Sequence, residues 1–187
     1  ILHMQHIPKG FLLIVLSSLL LAQSTYPPPT NLVTIPTAGT LVRGSFSLDM
    51  RVQKDGGFST GLKVGITDRF QFGMSFGASN LIGDDSLKWY PHPEVNIKYR
   101  LIDETKSMPG IAIGLNSQGY GAYNEILERY EVKAYGLYAA ASKNWATPLG
   151  NMGIHVGVNQ NFLEILDQDE DQSLFMGIDL EFNPELS

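Results

Sequence analysis

The feature that most constrains this chain is alternation with a period of two residues, sustained through almost every segment after residue 41. In FQFGMSFGAS, residues 70–79, Phe70, Phe72, Met74, Phe76 and Ala78 share one face, and Gln71, Gly73, Ser75, Gly77 and Ser79 the other. LVRGSFSLDMRVQ sets Val42, Phe46, Leu48, Met50 and Val52 against Arg43, Ser45, Ser47, Asp49, Arg51 and Gln53. FSTGLKVGIT sets Phe58, Leu62, Val64 and Ile66 against Ser59, Gly61, Lys63, Gly65 and Thr67. EVNIKYRLI, GIAIGLNSQG, NMGIHVGVNQNF and LFMGIDLEF continue the pattern, with Glu94, Asn96, Lys98, Arg100, His155, Asp179 and Glu181 on the polar rows. AYGLYAAASKNW carries small residues on both faces and does not declare an inner side. The pattern predicts an all-β, antiparallel, up-and-down sheet of about eight strands, each near the roughly 9–11 residues that cross a bilayer at a tilt.

Three of the strands fix their own register. Pairing Val52 with Phe58 across KDGG also pairs Leu48 with Leu62 and Phe46 with Val64. Pairing Ile66 with Phe70 across TDR also pairs Val64 with Phe72 and Leu62 with Met74. A slip of one residue would break the common apolar face.

Connections fall into two classes. KDGG, NLIGDDSLKWYPHP, YGAYNEILERYEVK and LEILDQDEDQ are mostly long and polar; TDR, DETKSMP and TPLGN are shorter. In a meander these sets lie at opposite ends, an asymmetry typical of outer-membrane barrels. Only Tyr123–Lys133 invites a helical reading, and it reads equally as loop or as the start of a strand.

The aromatic row has two candidate environments, a soluble core or lipid. Three features favour lipid. The N-terminus has the form of a secretory signal: Met4, Lys9, the short apolar run FLLIVLSSLLLA and the small residues of AQS. Charged residues are scarce at 17%, and the polar rows are rich in glycine, as suits a crowded interior. Trp89, Tyr90, Tyr99, Tyr120, Tyr123, Trp145 and Phe182 fall near strand ends, where interfacial girdles form. The expected organisation is a signal peptide at 1–24, a Pro-rich segment at 25–40 and a transmembrane β-barrel at 41–187. Phe70, Phe72, Met74 and Phe76 would face lipid. Arg43, Asp49, Arg51, Lys63, Glu94, Lys98, Arg100, Asp179 and Glu181 would form a nearly balanced charged row in the lumen, able to pair internally rather than select strongly by charge.

Several chemistries are excluded or unsupported. The absence of cysteine removes disulfides, thiol nucleophiles and thiolate metal sites. A net charge of −6 does not suit a nucleic-acid binder. DQDED, residues 167–171, alternates aspartates but holds Gln172 and Ile178 where a calcium hand needs glycine and glutamate. GLKVG lacks phosphate-loop spacing, and no G-x-S-x-G occurs. His155 lies on a polar row with no serine standing out beside it, and His92 lies between prolines. No catalytic residue, metal or cofactor is expected.

TLVRGSFSLDMRV, GITDRFQFGMSFGASNLIG, PEVNIKYRLIDE and GIAIGLNSQGYGAY resemble a family of bacterial outer-membrane β-barrel proteins similar to the YjbH-like barrels associated with exopolysaccharide export. The resemblance runs from Thr34 to the end and rests on strand–turn patterns. It implies the outer membrane of a Gram-negative-type envelope, with membrane lipid, the outer-membrane insertion machinery and export-system components as partners. It also implies a non-enzymatic role in passage of envelope material. Such barrels end on a strand with a terminal aromatic residue, whereas this chain ends FNPELS, so further strands are expected beyond it. Two other classes remain: a soluble exported barrel holding an apolar ligand, and an outer-membrane hydrolase.

Overall fold

The computed structural model describes residues 29–82, 86–147, 150–162 and 173–182. The signal segment at 1–24, the DQDED loop and the chain end at 183–187 lie outside the described residues.

Thirteen strands follow one another among the described residues: β1 (Asn31–Leu32), β2 (Ile35–Pro36), β3 (Phe46–Gln53), β4 (Gly57–Thr67), β5 (Phe70–Ser79), β6 (Lys88–Trp89), β7 (Glu94–Ile102), β8 (Gly110–Asn116), β9 (Tyr120–Asn124), β10 (Arg129–Val132), β11 (Gly136–Thr147), β12 (Gly150–Gln160) and β13 (Ser173–Phe182). One turn of 3₁₀ helix, Lys54–Gly56, joins β3 to β4. Eight strands make one antiparallel meander in the order β3-β4-β5-β7-β8-β11-β12-β13, with β6 attached to β5. The sheet curls into a half-barrel. The architecture is therefore the all-β, eight-stranded, up-and-down sheet that the alternation predicts.

Register follows the apolar pattern across β3 and β4, where Val52 faces Phe58, Leu48 faces Leu62 and Phe46 faces Val64. Between β4 and β5, Leu62 faces Met74 and Val64 faces Phe72. The expected Ile66–Phe70 pair does not form. A bulge between Gly65 and Thr67 moves Thr67 opposite Phe70, and the Thr67 hydroxyl accepts the Phe70 N–H at 3.0 Å to close the turn. β3 also starts later than expected. Leu41–Ser45 is not strand: Gly44 takes φ +78°, and its N–H binds the Gly65 carbonyl at 2.8 Å.

Burial separates the two faces of the sheet. On the convex face Phe46, Leu48, Met50 and Val52 of β3 are exposed, as are Leu174, Met176, Ile178, Leu180 and Phe182 of β13. Phe70, Phe72 and Phe76 lie on this face half-buried, and Met74 is exposed. On the concave face Gln71, Glu94, Lys98, Ser142, Asn144 and His155 are buried. β11 resolves its ambiguity in the same way, with Tyr138, Ala140, Ser142 and Asn144 inward. Lys143 falls on the convex side, where its ammonium reaches back to Glu104 at 3.5 Å in a short connection.

Two hairpins stand apart from the sheet. Tyr120–Val132 is the β9–β10 hairpin, not a helix. The aromatic residues at Tyr123 and Tyr130 pair across it. The β1–β2 hairpin, with its following residues to Leu41, lies against the concave face. Thr37 and Ala38 are buried there.

Candidate functional site

The concave face gathers most of the expected charged row, but as separate local partnerships. Lys63 on β4 pairs with Asp49 on β3 at 2.6 Å. Arg51 lies over the Tyr120 ring, 4.2 Å from its centroid, and donates to the Val33 carbonyl at 2.9 Å. Glu94, at the start of β7, accepts the Tyr130 hydroxyl at 2.7 Å and lies 3.4 Å from His92. Burial, with that carboxylate beside it, holds the Tyr130 phenol above the usual tyrosine range. Arg100 sits at the short-turn end, 3.0 Å from Asp103, and donates to the Asp68 carbonyl at 2.8 Å.

One member of the expected row does not belong inside. Arg43 is exposed in the turn before β3, its N–H held at 3.0 Å by Asp68. Gly44 creates this turn and ends the alternation there. Glu181 keeps the register of Asp179 and takes the Asn151 amide at 3.5 Å, exposed near the end of β13, a strand paired on one side only among the described residues. Three of the expected girdle aromatics also serve elsewhere. Tyr90 is buried and packs edge-on against Tyr130 at 5.0 Å, Tyr123 packs against the same ring, and Tyr120 carries Arg51. Trp89 is exposed and stacks on Phe76 with centroids 5.7 Å apart.

Lys98 is fully buried. Its ammonium donates to the carbonyls of Thr30 and, at 3.1 Å, Gly39. Among the described residues no carboxylate lies within ion-pair distance of it. The N-terminal segment is thus the chief partner of the wall's most deeply buried cation.

The structure also supplies what the sequence did not show beside His155, a serine. Ser142 lies directly across the β11–β12 ladder from His155, and Asp179 lies one diagonal step away on β13. His155 Nδ1 is 2.7 Å from Ser142 Oγ, and Nε2 is 2.6 Å from Asp179 Oδ1. The Ala38 N–H donates to Ser142 Oγ at 2.8 Å. One assignment satisfies every group: Ala38 N–H to Ser142, Ser142 O–H to Nδ1, and Nε2–H to Asp179. Gly153 leaves room for it, since a Cβ there would lie 2.2 Å from Asp179 Oδ1 and 2.7 Å from His155 Nε2. The residue types are those of a hydrolytic triad. Both Ser142 and the Ala38 that roofs it are nevertheless buried, and the serine oxygen is engaged from both sides. The chain of hydrogen bonds ties the N-terminal segment to three wall strands.

Between the hairpin and the wall is a cavity of about 270 Å³, lined by Thr34, Arg51, Lys63, Asn96, Asn116 and Gln118 among others. Its lining is mostly amide, hydroxyl and charged groups. Among the described residues no group of three or more His, Asp or Glu side chains is placed to hold a metal ion.

Ser142, Gln71 and Gln118 were not singled out from the sequence. Cross-strand register could have found Ser142, but the small residues on both faces of 136–147 hid which of them point inward. A scan of protein-family models finds no match to this chain, and neither does comparison with curated proteins or with solved structures.

Proposed function

We propose that this chain is an outer-membrane β-barrel protein of a Gram-negative-type envelope, non-enzymatic, whose lumen serves the passage of envelope material such as polysaccharide. The observation that carries the membrane part is the inversion of faces. Apolar side chains on β3, β4, β12 and β13 point away from the protein and stay exposed, while Lys98, Glu94 and His155 are buried on the other side. A water-soluble sheet gains nothing from this arrangement, and contiguous exposed apolar surface of this extent is rare on soluble monomers. In lipid it is the required one. The two edges of the curled sheet, β3 and β13, would then need strand partners, because unpaired backbone groups are too costly in hydrocarbon.

The passage role rests on the polar concave face and its cavity. Most of the residues lining that cavity are polar or charged, which favours a polar cargo over an apolar ligand. A hydrolase reading draws on Ser142, His155 and Asp179, but their burial under Ala38 supports a structural role. Refolding into detergent, followed by gel migration with and without heating, tests the membrane reading. The folded barrel should run faster unheated. A protein that is monodisperse and folded without detergent, and shows no heat-modifiable band, would contradict it. Conductance in planar bilayers then separates a conducting lumen from a purely structural barrel.

A further inference from the structure

We propose that residues 29–41 are a displaceable plug across the lumen, latched to the wall by Lys98; the proposal rests on the membrane-barrel reading above. The segment reaches five of the eight wall strands. Val33 takes Arg51 from β3, and the Leu41 N–H donates to Gln71 of β5 at 3.1 Å. Lys98 comes from β7 and Ser142 from β11. Leu32 and Ile35 pack over Gly177 of β13, where a Cβ would lie 2.9 Å from Leu32 Cδ1 and 3.2 Å from Ile35 Cδ1. It therefore obstructs the concave side instead of lining one part of it.

Three features make it removable. First, among the described residues β1 and β2 pair only with each other, Asn31 with Pro36 and Leu32 with Ile35. Their departure breaks no ladder of the wall. Second, Lys98 is held by neutral carbonyls. Among the described residues the latch is therefore a few hydrogen bonds and no ion pair, which water entering an opened lumen can replace. Third, the hairpin tip is already open to solvent: Val33 is 87% exposed beside the cavity.

The chain has no cysteine, so single cysteines report cleanly. In the refolded full chain, Thr37→Cys should react slowly with a water-soluble maleimide, because Thr37 is fully buried. Adding Lys98→Met should speed labelling by about tenfold or more, the scale expected from losing charge-assisted hydrogen bonds, and should raise conductance in planar bilayers. Unchanged labelling with the heat-modifiable band intact would overturn the latch. Should Lys98→Met not refold, the milder Lys98→Gln combined with Ala38→Cys and Ser142→Cys tests the plug with the latch weakened. Oxidised protein should be locked in low conductance and reduction should release it. Equal conductance in both redox states would overturn the plug. Failure of the wild-type chain to insert into lipid vesicles would overturn the membrane reading, and the plug with it.

Discussion

On the convex side of β5, Phe72 lies across from Val64 and Ile97, and Met74 across from Leu62 and Val95. On its concave side, one residue away, Gln71 is fully buried; its carbonyl takes the Leu41 N–H and its amide faces Asn96 at 3.4 Å. Gly73 leaves space that a Cβ would contest with the Lys63 side chain at 2.7 Å. The same strand thus meets two kinds of requirement. Outside, on the membrane reading proposed above, a side chain must be apolar, and any of several will serve. Inside, it must fit one partner in one orientation. A buried polar face stabilises only when its members are matched, since each orphaned group costs about 1–3 kcal/mol.

The contrast can be broken most severely from outside by a charge. Phe72→Arg should cost about 2–4 kcal/mol if the residue faces the bilayer midplane, read as loss of folded, heat-modifiable protein on vesicles. Gly153→Val comes next, because its branches enter the space of Asp179 and His155. A loss of roughly 1–3 kcal/mol is expected from such overpacking, measured as a lower urea midpoint in vesicles. Tyr130→Phe leaves Glu94 without its hydroxyl donor and should cost about 1 kcal/mol by the same assay. The smallest effect belongs to the convex face again: Phe76→Leu should stay under about 1.5 kcal/mol. If Phe76→Leu proved worse than Gly153→Val, the division between tolerant and exacting faces would be wrong.

Legibility in the sequence divides along the same line. Alternation reports which residues share a face, and turn spacing reports register. Hence the Phe46–Val64 and Leu62–Met74 pairs follow from the order of residues and the turns alone. Alternation cannot register a residue outside the ladder. The Gly65–Thr67 bulge and the Gly44 turn displaced Ile66 and Arg43 for that reason. Nor does it say what lies in the hollow of a curled sheet. The Pro-rich N-terminal segment looked merely extended, and its seat against Lys98 depends on curvature that no short window encodes. The Ser142–His155–Asp179 chain joins residues on three strands. One of those strands, β11, has small side chains on both faces, so only the folded sheet shows that Ser142 points inward. Tyr123–Lys133 reads as helix, loop or the start of a strand because a short polar hairpin with few β-branched residues resembles any of them.

The central claim is that hydrocarbon, and not protein, surrounds the apolar row of β5. Nitroxide labels placed singly at positions 70–77 of the refolded protein in lipid vesicles test it directly, through collision with oxygen dissolved in the bilayer. Labels replacing Phe70, Phe72, Met74 and Phe76 should show high oxygen accessibility, and those replacing Gln71, Gly73, Ser75 and Gly77 low, in strict alternation. Uniformly low oxygen accessibility, or the opposite phase, would contradict the account.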